Sequence, residues 1–313
     1  FGLYAQDKWT MAKLTLMLGL RYDYFKSGFP EQQMGPAPLA PNRNLTFPAQ
    51  DNLNWKDITP RMGAAYDLFG NGKTAVKISL NKYLEGQALA GLARQPSPTT
   101  SVVVTTARNW TDQNRDFVVG CNLTNPAANG ECGPMLNQNF GSSVINTAYD
   151  ADLLTGWSHR PSNWEFSTGV QHEILPRVSV DVSYFRRWYA NFQATDNTLV
   201  GPNDYTSFTI AAPLDSRLPG GGGYPVRGID LNPNKVGQVS NLVSPASRYG
   251  NQFERWSGMD ATVSARLATG LQVSGGLSTG KRTTDNCEVV AQLPEMLLAA
   301  PVLAAPNPAS WLP

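Results

Sequence analysis

Apolar and polar side chains alternate with period two along much of this chain. Over residues 13–25 the even positions are Leu14, Leu16, Leu18, Leu20, Tyr22 and Tyr24, and the odd positions are Lys13, Thr15, Met17, Gly19, Arg21, Asp23 and Phe25. A helix repeats near 3.6 residues and cannot keep such a division, whereas a strand does. The division recurs six times. Ile58, Met62, Ala64, Tyr66 and Leu68 stand against Thr59, Arg61, Gly63, Ala65 and Asp67. Val76, Ile78 and Leu80 stand against Lys77, Ser79 and Asn81. Trp164, Phe166, Val170 and Ile174 stand against Glu165, Ser167, Gly169, Gln171 and Glu173. Val178, Val180, Val182 and Tyr184 stand against Ser179, Asp181, Ser183 and Arg187. Met259, Ala261, Val263 and Leu267 stand against Gly258, Asp260, Thr262, Ser264 and Arg266, and Leu271, Val273 and Leu277 against Gln272, Ser274, Gly276 and Ser278. With residues 2–9, whose faces are too mixed to assign, the pattern predicts eight strands.

The connections fall into two classes. Short ones lie at Thr10-Met11-Ala12, at residues 69–73 with the hairpin pair Asn71-Gly72, at Leu175-Pro176 and at Ala268-Thr269-Gly270. Long ones span residues 27–56, 86–162 and 193–254. Structureless loops of that length are rare in compact water-soluble domains. Short turns alternating with long loops are what a transmembrane β-barrel shows, with turns on the periplasmic side and loops outside. The predicted fold is therefore all-β: an antiparallel transmembrane β-barrel, partial, with about eight strands of a larger barrel and long extracellular loops. Thirteen residues at about 3.3 Å each, tilted about 45°, rise roughly 30 Å, enough for an apolar band of about 25 Å. Trp9, Tyr66 and Phe69 fall near the turn end, and Tyr22, Tyr24, Trp164, Tyr184, Trp188 and Trp256 near the loop end, where aromatic girdles belong.

This fold assigns the two faces. Leu14, Leu16, Leu18, Leu20, Val178, Val180 and Val182 are expected to face lipid. Arg21, Asp23, Arg61, Asp67, Lys77, Glu165, Glu173, Asp181, Arg187, Asp260 and Arg266 are expected to face the lumen, as a solvated wall or as a surface that holds a plug or guides a solute. A soluble β-sandwich also alternates, but its loops are short at both ends.

Composition narrows the classes further. The chain has 313 residues, 25 Lys+Arg and 24 Asp+Glu, for a formal charge of +1. A nucleic-acid binder needs a basic excess, so none is expected as partner. Mean hydropathy is −0.29. The longest nearly apolar stretch, residues 296–305, is broken by Pro301 and is too short to span a bilayer as a helix. The chain starts at Phe1, shows no signal peptide and ends in a Pro-rich run. It reads as a fragment, with residues 1–285 a partial barrel and 286–313 an irregular tail or truncated loop.

Candidate chemistry is sparse. Cys121 and Cys132 bracket a Gly/Asn/Pro-rich loop segment and are expected to pair as a disulfide in an oxidising compartment. A metal site there would lack ligands, since no histidine lies between residues 87 and 158. Cys287 is left without a clear partner. Asp112, Asn114 and Asp116 have the spacing that opens a calcium loop, but Phe117 occupies the glycine position, and a solvated polar loop fits better. The run at residues 70–74 lacks the first glycine of a phosphate loop and precedes a strand. Gly220 to Gly223 form a loop tip outside any βαβ unit. His159 and His172 form no zinc-protease pair, and no serine sits in a nucleophile elbow. Nothing points to an enzyme or to a bound cofactor. Trp110, Tyr149, Trp157, Tyr205 and Tyr224 are candidates to stack on a ligand or to pack the loops.

The order of the segments is more specific than any one of them. GLYAQDKWTMAKLTLMLGLRYDYF and ITPRMGAAYDLFGNGKTAVKISLNKY resemble successive hairpins of TonB-dependent outer-membrane receptors. NWEFSTGVQHEILPRVSVDVSYFRRWYANF and RYGNQFERWSGMDATVSARLATGLQVSGGLSTGKRTTDNCEV resemble the Oar-like subgroup, whose N-terminus carries a carboxypeptidase-regulatory-like domain. The resemblance covers about residues 1–295. It implies a 22-stranded barrel in the bacterial outer membrane, plugged by an N-terminal domain. It further implies import of a scarce, bulky solute powered through the TonB complex, reached by way of a plug absent from this stretch. Outer-membrane lipid and an extracellular ligand of unknown identity are the other expected partners. An outer-membrane adhesion or structural barrel and a soluble carbohydrate-binding β module are the competing classes. A partial barrel should show an incomplete sheet with two open edges, or an artificially closed one.

Overall fold

The computed structural model describes residues 1–87, 91–267 and 270–299. Eight long strands pair antiparallel in chain order as one sheet: β1 (Gly2–Met11), β2 (Leu14–Phe29), β3 (Gln50–Asp67), β4 (Thr74–Leu84), β5 (Ser162–Leu175), β6 (Val178–Ala190), β7 (Phe253–Arg266) and β8 (Gln272–Asp285). The sheet does not close: β1 and β8 are its outermost strands. All eight predicted strands are present. β2 and β3 run further toward the loops than alternation marked, because Lys26, Ser27, Asp51 and Asn52 interrupt the apolar pattern there. Ala268 and Thr269 of the predicted last turn lie outside the described residues.

Register fixes the faces, since residues directly opposite each other in a sheet share one face. Val76, Val170, Val182, Ala261 and Leu277 stand in one row across β4 to β8. Lys77, Gly169, Ser183, Asp260 and Ser278 stand in the next row, on the other face. The pairing of β1 with β2 settles the mixed first segment: Leu3, Ala5, Trp9 and Met11 join the face of Leu14, Leu16, Leu18 and Leu20, and Asp7 is the exception on that side. On the polar face, charges are matched between neighbours. Arg187 bridges Glu165 at 2.5 Å, Arg282 bridges Glu254 at 2.7 Å, and Arg21 bridges Asp23 at 2.8 Å. Ser79 and Ser167 hydroxyls share a hydrogen bond of 2.8 Å.

Trp256 departs from the predicted girdle. It lies opposite Arg187 and Arg282, on the polar face. Its indole lies over Gly258 and Gly280, where a Cβ on Gly280 would come within 2.6 Å of the ring. The two glycines leave the room the ring fills. Trp164 and Trp188, by contrast, stack on the apolar face with centroids 6.4 Å apart.

The sheet has no core of its own. Its apolar face stays exposed, to 72% at Leu277. Buried apolar residues such as Trp55, Leu153, Ala194, Ala246, Val289 and Leu293 sit at the loop end. The chain divides into two compact units. One comprises residues 1–25, 54–86 and 150 onward; the other comprises 26–53 and 87–149. In the first, the segment after β8 is helical where an irregular tail was expected: α2 (Cys287–Gln292) and α3 (Glu295–Ala299). Val289 and Leu293, four apart on one helical face, bury against Ala194 and Ala246. Residues 300–313 of that predicted tail lie outside the described residues. The long connections likewise carry short strands, among them the hairpin of Tyr205–Ala211 with Pro225–Leu231. Its tip needs Gly222, whose φ is +87° and whose Cβ would strike the Pro213 carbonyl.

Gly280→Val should displace the Trp256 indole and cost about 1–3 kcal/mol as overpacking. Urea unfolding of the membrane-inserted protein, followed by tryptophan fluorescence, measures it. An unchanged midpoint would show that the indole moves freely.

Candidate functional site

The loop end of the first unit is built on Trp55. This side chain is 0% exposed and donates its Nε1–H to the Leu153 carbonyl at 2.9 Å. Phe25 packs on it at 6.0 Å, and the Arg160 guanidinium lies over both rings, at 5.5 Å from Phe25 and 6.0 Å from Trp55. Arg160 Nε also donates to the Glu85 carbonyl at 2.8 Å. The segment that brings Leu153 and Arg160 together begins as a one-turn helix, α1 (Ala151–Leu154) in chain order. Asp150 caps it by accepting from the Asp152 N–H at 2.8 Å. It continues as the short strand Thr155–Trp157, which pairs parallel to Asn54, Trp55 and Lys56 of β3. Trp157 packs against Tyr22 with ring centroids 5.9 Å apart, and Lys56 lies over its face.

Arg248 ties this segment to the next long loop. Its guanidinium bridges Asp150 and, at 2.9 Å, Asp152. The two carboxylates, Asp152 first, hold the guanidinium pKa above its ordinary value. Asn191, at φ +63°, donates through Nδ2 to the Ser158 and Arg160 carbonyls, both at 2.7 Å. Glu288 of α2 accepts from the Asn251 N–H at 2.8 Å and its Nδ2 at 2.9 Å, which lowers the Glu288 pKa. Beside these contacts lies an open cleft of about 630 Å³. Asp152, Trp157, His159, Tyr189, Arg248 and Gln252 are among its lining residues. The Gln252 Oε1 is buried there without a hydrogen-bond partner.

The second unit holds a stapled loop. A disulfide joins Cys121 and Cys132, with Cα atoms 5.8 Å apart. Arg108 donates to four carbonyls across it: Gly133 at 2.9 Å, Asn122 at 3.2 Å, Asn125 at 2.8 Å and Ala127 at 2.6 Å. Glu131 accepts from Trp110 Nε1 at 3.2 Å and from the Gly120 and Gln113 N–H groups, each at 3.1 Å. The calcium-like spacing is spent on backbone turns instead. Asp112 accepts from the Arg115 and Phe117 N–H groups, and Asp116 from that of Val118. Phe117, 86% exposed, projects from this tip.

The outer membrane beta barrel domain model matches residues 1–285. The chain belongs to this family. Its place is accordingly the bacterial outer membrane. Among solved structures, it is similar to the FrpB iron transporter from Neisseria meningitidis, at 12% identity and TM-score 0.38, over 90% of this chain and 26% of that one. It is also similar to the siderophore receptor PiuA from Acinetobacter baumannii, at 11% and 0.38, over 90% and 25%. A third is the siderophore receptor PirA from Pseudomonas aeruginosa, at 13% and 0.36, over 91% and 34%. The chain thus spans a quarter to a third of the length of these structures. No curated protein matches.

Of the residues singled out from sequence, the eleven charged ones share the polar face, Trp157 lines the cavity, and Trp110 braces the stapled loop through Glu131. Tyr205 is part-buried, and burial, with Glu295 and Asp204 nearby, pushes its pKa up to about 12. Arg248, Asn191, Arg108 and Glu131 escaped notice, since each acts on groups distant in sequence. Only the Asp150 cap, an acid before a short apolar turn, carries a local signal.

Two outcomes test this geometry. Arg248→Ala should free residues 150–160, seen as faster hydrogen exchange there with β5 and β6 unchanged. The Glu131 carboxyl is held below the usual carboxylate range by Trp110 and the Gly120 and Gln113 amides. A depressed pKa stabilises the folded loop above the unfolded value and stops doing so as pH falls through the folded one. Protection of the Gly120 and Gln113 amides should therefore hold at neutral pH and fall only below about pH 4. Loss of protection between pH 5 and 7 would contradict the assignment.

Proposed function

We propose that this chain is part of the barrel of a TonB-dependent outer-membrane receptor, of the Oar-like subgroup, that imports a scarce and bulky solute. The observation that carries the reading is the asymmetry of the sheet. Short turns close one end, and at the other the loops fold around a polar cavity with their own buried core. The apolar face, with Leu14, Leu16, Leu18, Leu20, Val178, Val180 and Val182, faces lipid. The polar face, with its matched charges, lines the lumen and receives a plug domain, through which the TonB complex acts. Unpaired edges at β1 and β8 are untenable in hydrocarbon, so further strands complete the barrel. The cavity forms part of the extracellular ligand surface. Residues 286–299 belong to the next extracellular loop.

Uptake by cells carrying the full-length protein tests the transport reading. Accumulation of the solute should cease when the TonB complex is inactivated and fall when Arg248→Ala loosens the cavity wall. Passive uptake that survives loss of TonB would sink it. The placement of the faces is tested separately. Val182→Arg should cost about 2–4 kcal/mol of membrane-inserted stability, and Ser183→Arg, one residue away, well under half of that. Equal costs would overturn the assignment of lipid and lumen faces.

A further inference from the structure

Across β4 to β8 four cations stand on the apolar face, in the two rows just below its last row at the loop end. In one row Leu80, Phe166, Arg186, Ser257 and Lys281 lie side by side across β4 to β8, and in the next row Lys82, Trp164, Trp188, Arg255 and Thr283. Below them the same face carries Ile78, Tyr184, Val182, Val263 and Leu277. The carboxylates Glu165, Glu173, Asp181, Glu254 and Asp260 of these strands stand on the opposite face, and Asp285, in the last row of this face, accepts from the Cys287 N–H at 3.0 Å. Among the described residues, none of Lys82, Arg186, Arg255 and Lys281 is in an ion pair. Arg186, Arg255 and Lys281 are exposed. Arg186 and Arg255 are diagonal neighbours, about 7–8 Å apart between Cα atoms. They flank a cavity of about 520 Å³ whose walls include Phe166, Tyr184, Trp188 and Phe253. Glu254 reaches its edge but is held by Arg282 at 2.7 Å.

An unpaired arginine on an otherwise apolar face is costly at the bilayer midplane and tolerable only at the border. The row of Arg186 lies eight residues above Val178, or about 19 Å up the membrane normal at 45° tilt. The row of Arg255 lies about 23 Å up, near the top of an apolar band of about 25 Å. Cations at that height meet the headgroups of the outer leaflet. Guanidinium groups suit phosphate, which they engage through paired N–H donors. The stacked pair Trp164 and Trp188 supplies the amphipathic shelf on which a headgroup rests.

We propose that Arg186, Arg255 and Lys281, with Lys82 beside them, form a binding site for the phosphate groups of an anionic outer-leaflet lipid. The site rests on the reading above that the apolar face lies in the bilayer, and the test separates the two. Full-length protein is reconstituted in phosphatidylcholine vesicles with and without diphosphoryl lipid A, then extracted for native mass spectrometry. The expected result is retention of lipid A by the unaltered protein. Retention should fall at least tenfold in Arg186→Gln/Arg255→Gln and several-fold in Lys281→Gln, whose side chain stands clear of the packing. It should be unchanged in Lys77→Gln on the polar face, and lipid A stripped of its phosphates should be lost as in the double variant. Equal retention by the unaltered protein, the double variant and Lys281→Gln would overturn the site, as would equal retention of the dephosphorylated lipid. In the same vesicles, brominated acyl chains should quench the fluorescence of Trp9, Trp164 and Trp188. Quenching without selective retention rejects the phosphate site alone, whereas absence of quenching rejects the membrane placement beneath it.

Discussion

A backbone amide or carbonyl in hydrocarbon has no water to turn to, and the sheet is organised by that fact. Each must find its partner in a neighbouring strand. The eight strands comply by pairing in chain order, and the register of each pair then fixes which side chains share a face. A slip of one residue between β5 and β6 would carry Val182 to the side of Glu165 and Arg187 to the side of Val170. The matched ions and the apolar rows are thus one choice of register seen from two sides. The irregularity in this pair falls between Glu173 and Leu175, at the turn end, where the ladder is about to stop.

The loops obey the opposite economy. They lie in water, so they need a buried core, and they build one from residues far apart in sequence. Trp55 from β3 meets Leu153, and Ala194 and Ala246 meet Val289 and Leu293. Away from its loop end the sheet buries little against protein, while the loops and the upper half of β3 concentrate the fully buried side chains. Two solvents along one chain explain why a mean hydropathy near that of a soluble protein accompanies an exposed apolar face.

Alternation made the strands and their faces legible, because register follows from period two once a turn is placed. It failed in three places for physical reasons. The upper halves of β2 and β3 pass out of the apolar band, and in β3 the alternately buried set there is Leu53, Trp55, Asp57 and Thr59, a mixture that apolar alternation does not mark. Trp256 belongs to the polar face because Gly258 and Gly280 make a slot for its ring, and a list of aromatics by height has no means of seeing a slot. The loop core and the hubs at Arg108, Glu131 and Arg248 depend on contacts that span the loops. A helix of six residues such as α2 is set by its docking partners more than by propensity. Its signal exists only once Ala194 and Ala246 are in place.

Charge distribution follows from the same division. On the polar face, Lys77 faces Asp181 at 3.9 Å, and Arg187, Arg282 and Arg21 each hold a carboxylate within 2.8 Å. Each such pair projects little field into the space before it, since paired charges cancel within about a Debye length of 8–10 Å. A solute or a protein domain beside it meets hydrogen-bonding groups more than net charge. The overall +1 of the chain therefore hides an uneven pattern: charges of both signs, several of them paired, on one face, and on the other, across β4 to β8, four cations near the loop end. Had those cations been scattered through the apolar rows, each would have cost about 2–4 kcal/mol at midplane. Their confinement to two adjacent rows near the loop end is what a bilayer permits, and it leaves them placed to engage an anion there.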